Sequence, residues 1–258
     1  MAKDLEKKTT ARPGARFHFD GKLGNGSEVR LAPDAAHHAA RVLRLETGDP
    51  VVLFDGLGGE FEARITRMER GDVLVKTGAH RDVERESRIE VTLVQGLSSG
   101  DRMDFTLQKA VELGVSAIQP VATERSVVKL KEERAQRRVE HWQNLVVSAC
   151  EQCGRNRIPG VAPVLDFDIW AAQLVRPPPE GEARLLLSPQ APISLRELVS
   201  VPARLTLLAG PEGGLAPGEL VIAESRGFTP VRLGPRILRT ETAAVAALAA
   251  IQTLWGDF

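Results

Sequence analysis

The sequence predicts an α/β protein with a mainly parallel sheet and helices on both faces, preceded by a small, mostly β unit. Three observations carry that expectation. Beyond residue 89, short apolar runs alternate with segments of helical period, the pattern of successive strand–helix–strand units. Before residue 80, the apolar runs are short and punctuated by turn chemistry such as GLGG and Arg70-Gly71-Asp72. The 258 residues are 43% hydrophobic and 26% charged, enough to bury a core without disulfide or metal staples.

The elements follow in order. Met1–Ala15 reads as a charged, loose tail without the apolar segment of a secretory signal. Arg16–Asp20 and Glu28–Leu31 read as short strands. Pro33 and Asp34 open a helix expected to run through Leu43, Asp34 supplying negative charge to its first turn. Strands are expected at Pro50–Asp55, Glu60–Met68 and Asp72–Thr77, completing a first domain over residues 16–80. Arg81–Arg88 is so charged that it reads as a linker, leaving 89–258 as the second domain. There the expected order is strand Glu90–Leu97, helix Asp101–Leu113 capped by Gly114, strand Ala117–Val121 and a long helix Glu132–Gln152. After Pro177-Pro178-Pro179 come strand Arg184–Leu187, short helix Leu195–Val199, strand Arg204–Ala209 and helix Pro217–Arg226. Strand Pro230–Leu233, a loop and helix Thr240–Trp255 close the chain.

Charge and cysteine content narrow the function. Lys+Arg and Asp+Glu each number 34, so any nucleic acid must be met by a local patch rather than by bulk charge. The longest apolar run, Ala243–Ile251, is nine residues, against the ~18 expected of a membrane span. Two cysteines without a spaced framework fit the reducing cytoplasm. Cys150 and Cys153 form a lone CxxC with no second ligand pair, and His37-His38 point in different directions on a helix. Neither reads as a metal site. The run Ala243–Ile251 leaves the last helix without a polar face, so it is either enclosed within its domain or shared with a second copy.

Two segments carry the chemistry. Leu207–Gly214 (LLAGPEGG) is a buried strand ending in a turn whose glycines leave the backbone open to a ligand, or else an ordinary tight turn. In open α/β sheets the carboxyl edge is where ligands bind. It is neither a P-loop nor a GxGxxG fingerprint. Leu233–Thr242 (LGPRILRTET) repeats the theme, with Gly-Pro at a strand end, Arg236 and Arg239 in the loop, and Thr240 and Glu241 at the next helix start. The two loops together suggest one composite pocket.

LLAGPEGG, Gly227-Phe228 and LGPRILRTETA resemble the cofactor signature of the SPOUT methyltransferases. Within them they are similar to the RsmE-type family, which methylates N3 of a uridine in 16S ribosomal RNA. Arg16-Phe17-His18, His38 with Val42–Leu45, Gly48-Asp49 and Phe54-Asp55-Gly56 resemble that family's PUA-like RNA-binding β-barrel. Gln108-Lys109, Glu112–Val115 and Glu151–Asn156 resemble its central motifs.

The resemblance implies a deep trefoil knot, a homodimer, a cytoplasmic enzyme acting on 16S ribosomal RNA within the small subunit, and S-adenosylmethionine (SAM) as cofactor. It implies that Leu208, Ala209, Gly210, Pro211, Glu212, Gly213, Gly214, Leu233, Gly234, Ile237, Leu238, Arg239 and Thr242 hold SAM. Uracil N3 must lose a proton, so Glu212 or Glu241 is expected as base and Arg239 as stabiliser of the charge on the flanking carbonyl oxygens. Glu241 has an alternative reading as a helix-terminus residue. RNA contacts are expected from Arg16, His38, Arg41, Arg44 and Arg155, with Arg41 and Arg44 three apart on one helix. Two alternatives stand beside this: a SPOUT enzyme acting on a ribose 2′-hydroxyl or another base, and an inactive RNA-binding assembly factor.

Overall fold

The computed structural model describes residues 14–69, 71–127, 132–198 and 202–258. Most of the expected tail, Arg70, Lys129–Lys131 just before the expected long helix, and Val199 lie outside them. The chain divides into two compact units, the first ending at Arg85 and the second spanning Glu86–Phe258.

In the first unit, strands β1 (Ala15–His18), β2 (Glu28–Arg30), β3 (Pro50–Phe54), β4 (Glu60–Glu69) and β5 (Asp72–Arg81) form a sheet in the order β1-β3-β4-β5-β2. β1 runs parallel to β3 and the other pairs are antiparallel. Register shifts within the β4–β5 ladder curl the sheet into a barrel-like form. Phe17, Leu53, Ile65, Val73 and Val75 fill its inner face, joined by Ala36 and Ala39.

Helix α1 is shorter than expected. Pro33–His37 is α-helical, and His38–Val42 widens into a single π turn. The chain leaves it through Arg44, whose φ of 54° lets the Leu45 N–H reach back to the Ala39 carbonyl (2.9 Å).

The first part of the Arg81–Arg88 stretch is bonded within the first unit. Arg81 belongs to β5, Arg85 bonds Glu60 (3.2 Å), and Glu84 accepts from the Gly59 N–H (2.8 Å).

The second unit has an eight-stranded, all-parallel sheet. Its strands are β6 (Glu90–Gly96), β7 (Val115–Ala122), β8 (Gly160–Val161), β9 (Leu165–Asp166), β10 (Glu182–Leu187), β11 (Ile193–Ser194), β12 (Arg204–Ala209) and β13 (Thr229–Arg232). They lie in the order β11-β13-β10-β12-β6-β7-β8, with β9 also on β7. The helices are α2 (Gly100–Glu112), α3 (Glu132–Cys153), α4 (Phe167–Ala172), α5 (Pro217–Ser225) and α6 (Thr240–Trp255).

The central strands carry near-continuous apolar runs because helices cover both faces. Leu93, Leu207 and Leu208 are fully buried. β8, β9 and α4 escape the sequence pattern because each is too short to show a period. The expected Leu195–Val199 helix is a single 3₁₀ turn, Leu195–Glu197.

α6 buries Ala244, Ala247, Leu248 and Ile251, while Val245, Ala246, Ala249 and Ala250 on its other side stay half-exposed in the single chain. No helix among the described residues is long and apolar enough to cross a membrane.

Candidate active site

β13, β10 and β12 are neighbours, so their carboxyl ends open together at one sheet edge. The loops leaving them, Leu187–Gln190, Ala209–Leu215 and Val231–Glu241, enclose a cleft of about 510 Å³. That lies within the ~300–1,000 Å³ range of small-ligand sites.

The loop after β12 is built largely from its own backbone. Gly214, at φ 67°, turns the chain so that its N–H donates to the Pro211 carbonyl (2.9 Å). A Cβ at Gly96, the last residue of β6, would lie 2.6 Å from Pro211 N and Cδ, so only glycine lets the loop pass there. Buried Gln95 aims its Nε2 at the carbonyls of Gly96 (3.1 Å) and Gly210 (3.3 Å) and at Thr240 Oγ1 (3.2 Å). Thr240 in turn donates to the Gly210 carbonyl (2.6 Å), tying the start of α6 to the first loop. The composite pocket is therefore joined at its floor by hydrogen bonds between segments distant in the chain.

Glu212 is fastened. Its Oε1 accepts from the Ser99 N–H (2.9 Å), Ser99 Oγ (2.8 Å) and Arg102 (3.1 Å). Burial alone would raise its pKa, but these donors outweigh burial and hold it below the ordinary value. A carboxylate so stabilised is a poor proton acceptor, which counts against Glu212 as base. Glu241 sits in the first turn of α6 and also lines the cleft; like Glu212, it has a buried Oε2 with no partner among the described residues.

Of the residues expected to hold a cofactor, those from Ala209 to Gly214 line the cleft, as do Leu233, Gly234, Ile237, Leu238 and Arg239. Two do not. Leu208 is fully buried in the core beneath, because alternation along β12 turns it away, and Thr242 is an exposed residue of α6 outside the lining.

Sequence reasoning missed the third wall, Leu187–Gln190, and two arginines from elsewhere, Arg102 of α2 and Arg125 of the turn after β7. The one local signal for the wall is Pro189 directly after an apolar strand. Nothing local marks the arginines.

The expected RNA residues fare unevenly. Arg155 is a correction: its side chain is 5% exposed, paired with Glu86, and bonded to the carbonyls of Val111 (3.0 Å) and Val115 (2.8 Å). A guanidinium sealed this way is part of the core. Arg16 is likewise mostly buried, paired with Glu60 (2.5 Å) and lying 5.1 Å from the centroid of the Phe54 ring. Arg41 and Arg44 do not share a helix face, since Arg44 falls beyond the helix end. His38, Arg41 and Arg44 are all exposed. Cys150 is buried and its thiol is pushed up to about 12 by burial. Among the described residues no cluster suits a metal ion.

Residues 85–252 match the model of an RNA methyltransferase domain and residues 31–77 that of an RNA methyltransferase PUA domain. The second unit is therefore an RNA methyltransferase domain, preceded by an RNA methyltransferase PUA domain. A Legionella pneumophila methyltransferase solved in complex with bound SAM is 37% identical, superposes with a TM-score of 0.89, and the match covers 95% of this chain and 99% of that one. A ribosomal RNA small subunit methyltransferase E from Neisseria gonorrhoeae, bound to S-adenosyl methionine, is 41% identical with a TM-score of 0.86 and the same coverage. The Bacillus subtilis protein of that name is 34% identical over 86% of this chain and 88% of its own length. The chain belongs to the ribosomal RNA small subunit methyltransferase E family.

Proposed function

We propose that this protein transfers a methyl group from SAM to N3 of one uridine in 16S ribosomal RNA. The observation that carries the reading is the cleft itself, walled by exposed backbone at three adjacent strand ends and flanked by Arg239 and Glu241. The cleft fits SAM on its own terms. Its Gly/Pro loop leaves main-chain donors and acceptors unscreened for adenine and ribose, Leu233 and Leu238 offer an apolar wall, and the buried Glu241 Oε2 awaits a donor. SAM, when bound, supplies a methyl group already activated by its sulfonium charge.

The chain's residues supply the rest. Glu241, in the first turn of α6 and lining the cleft, accepts the proton leaving N3. Arg239, at the N-cap of the same helix, faces the carbonyl oxygens onto which negative charge spreads. Glu212 holds the loop in place instead of taking a proton.

Residues 16–80 serve RNA docking through His38, Arg41 and Arg44, and residues 89–258 carry catalysis. The link from Thr240 back to Gly210 supports the trefoil crossing, with the chain entering α6 beside the loop it left thirty residues earlier. The half-covered apolar side of α6 supports a homodimer. The small subunit and the cytoplasm are the corresponding partner and compartment.

The test is methylation of small-subunit particles and naked ribosomal RNA with labelled SAM, the mark being located by nucleoside mass spectrometry. 3-Methyluridine is expected. A 2′-O-methyl mark or another methylated base would replace the acceptor, and absence of any mark would remove the activity. Glu241→Gln and Arg239→Ala are expected to lower kcat at least about 100-fold while SAM still binds.

A further inference from the structure

Arg102 and Arg125 come from separate elements, α2 and the turn after β7, yet each gives one guanidinium nitrogen to consecutive residues of the same loop. Arg102 Nη1 bonds Glu212 Oε1 (3.1 Å) and Arg125 Nη1 bonds the Gly213 carbonyl (3.2 Å). Both cations are therefore tied to the same loop, and both line the cleft.

The turn bearing Arg125 is pinned independently of its side chain. The Glu124 N–H donates to Glu219 Oε1 (2.8 Å), whose other oxygen accepts from the Ala216 N–H (2.8 Å). Within the turn Ser126 Oγ accepts from the Thr123 N–H (3.1 Å). Packing is equally close: a Cβ at Gly213 would come within 3.0 Å of the Arg125 Cβ.

The loop alone does not account for two arginines. A guanidinium carries five donors, and here one nitrogen of each is spent while both residues stay exposed. Arg125 has no ion-pair partner among the described residues; Arg102 shares Glu212 with Ser99. Two guanidinium forks tied to one loop of the cleft, each with donors to spare, suit the oxygens of a phosphodiester.

We propose that Arg102 and Arg125 form a clamp for a backbone phosphate of the RNA substrate next to the target nucleotide, on the loop wall of the cleft. The clamp rests on the methyltransferase reading for its substrate and adds a positioning role to it: the phosphate is fixed by groups tied to the loop that carries the cofactor, so the two are set relative to one another. Positioning of this kind enters the rate through orientation.

The experiment measures binding of small-subunit ribosomal RNA by the full chain across a potassium chloride series, for wild type, Arg102→Gln, Arg125→Gln, Arg125→Lys and the double glutamine variant. SAM affinity is measured calorimetrically on each. Each glutamine variant is expected to weaken RNA binding about tenfold and to lower the slope of log K against log salt by about 0.7–0.9, the signature of one lost phosphate contact. Arg125→Lys is expected to keep the slope, because it keeps the positive charge. Unchanged slopes overturn the clamp, whether or not SAM binding weakens; weakened SAM binding with unchanged slopes would show that the arginines only brace the loop. Wild type that binds RNA with the full slope but leaves no methyl mark would overturn the methyltransferase reading and leave the clamp standing.

Discussion

Replacing Gly96 with alanine asks whether the loop after β12 is held by close backbone approach. The added Cβ would lie 2.6 Å from both Pro211 N and Pro211 Cδ and 3.0 Å from the Gly210 carbonyl carbon. Carbon atoms rest about 3.5–4.0 Å apart, so strand and loop must separate by roughly 1 Å. No flexible side-chain end is available to give way, since the obstacles are backbone and a proline ring. Overpacking of this kind costs about 1–3 kcal/mol. If the loop yields when it closes on SAM, that cost appears as about 5- to 150-fold weaker binding, at 1.4 kcal/mol per tenfold. If it yields in the free protein too, melting falls instead, by about 2–4 °C per kcal/mol for a chain of this size. Calorimetric titration with SAM and thermal melting, on the same preparation, distinguish the two. SAM affinity within twofold of wild type together with an unchanged melting temperature would refute the reasoning.

Three further outcomes are expected. Glu86→Ala leaves the Arg155 guanidinium buried without its carboxylate, and should cost about 3 kcal/mol in denaturant unfolding, the low end for a buried pair because Glu86 itself is 23% exposed. Burial would raise the Glu60 pKa, but Arg16 and Arg85 overcome it and hold the group below its ordinary value of 4.5. Its stabilising contribution is thus complete above that value and lost as pH falls through the depressed folded pKa, so wild type should outlast Glu60→Gln at pH 7 and lose that advantage under more acid conditions, as followed by melting curves across pH. With its thiol pushed up to about 12, Cys150 should resist iodoacetamide at pH 8 in the folded protein and react once urea has unfolded it, read by mass spectrometry.

The chemistry-bearing loops were legible in the sequence because their signal is local. Gly-Pro after an apolar strand reports a backbone that turns and stays uncovered, and LLAGPEGG and LGPRILRTET both do so within ten residues or fewer. Leu208 and Thr242 show the limit of that reading: motif membership does not say which way a side chain points, and strand alternation and helix phase turned both out of the cleft. Arg155 shows another. Its neighbours in EQCGRNR look like a polar loop, but its partner Glu86 lies 69 residues away in a segment that reads as a linker.

What the sequence by itself determined is the succession of the longer strands and helices, a β-rich portion ahead of an α/β portion, and two of the three loops that wall the cleft. These follow from periodicity and from glycine and proline, which act over a few residues. What only the tertiary structure decided is which charge meets which. Glu212 and Ser99 stand 113 residues apart, and their bond fastens the loop after β12 to the start of α2. Arg102 and Arg125 reach the cleft only because α2 and the turn after β7 pack against the loop, and Leu187–Gln190 becomes a wall only because β10 lies between β12 and β13. The protonation and exposure of a side chain are set by whatever the folded chain brings beside it, and for these residues that neighbour is distant in sequence.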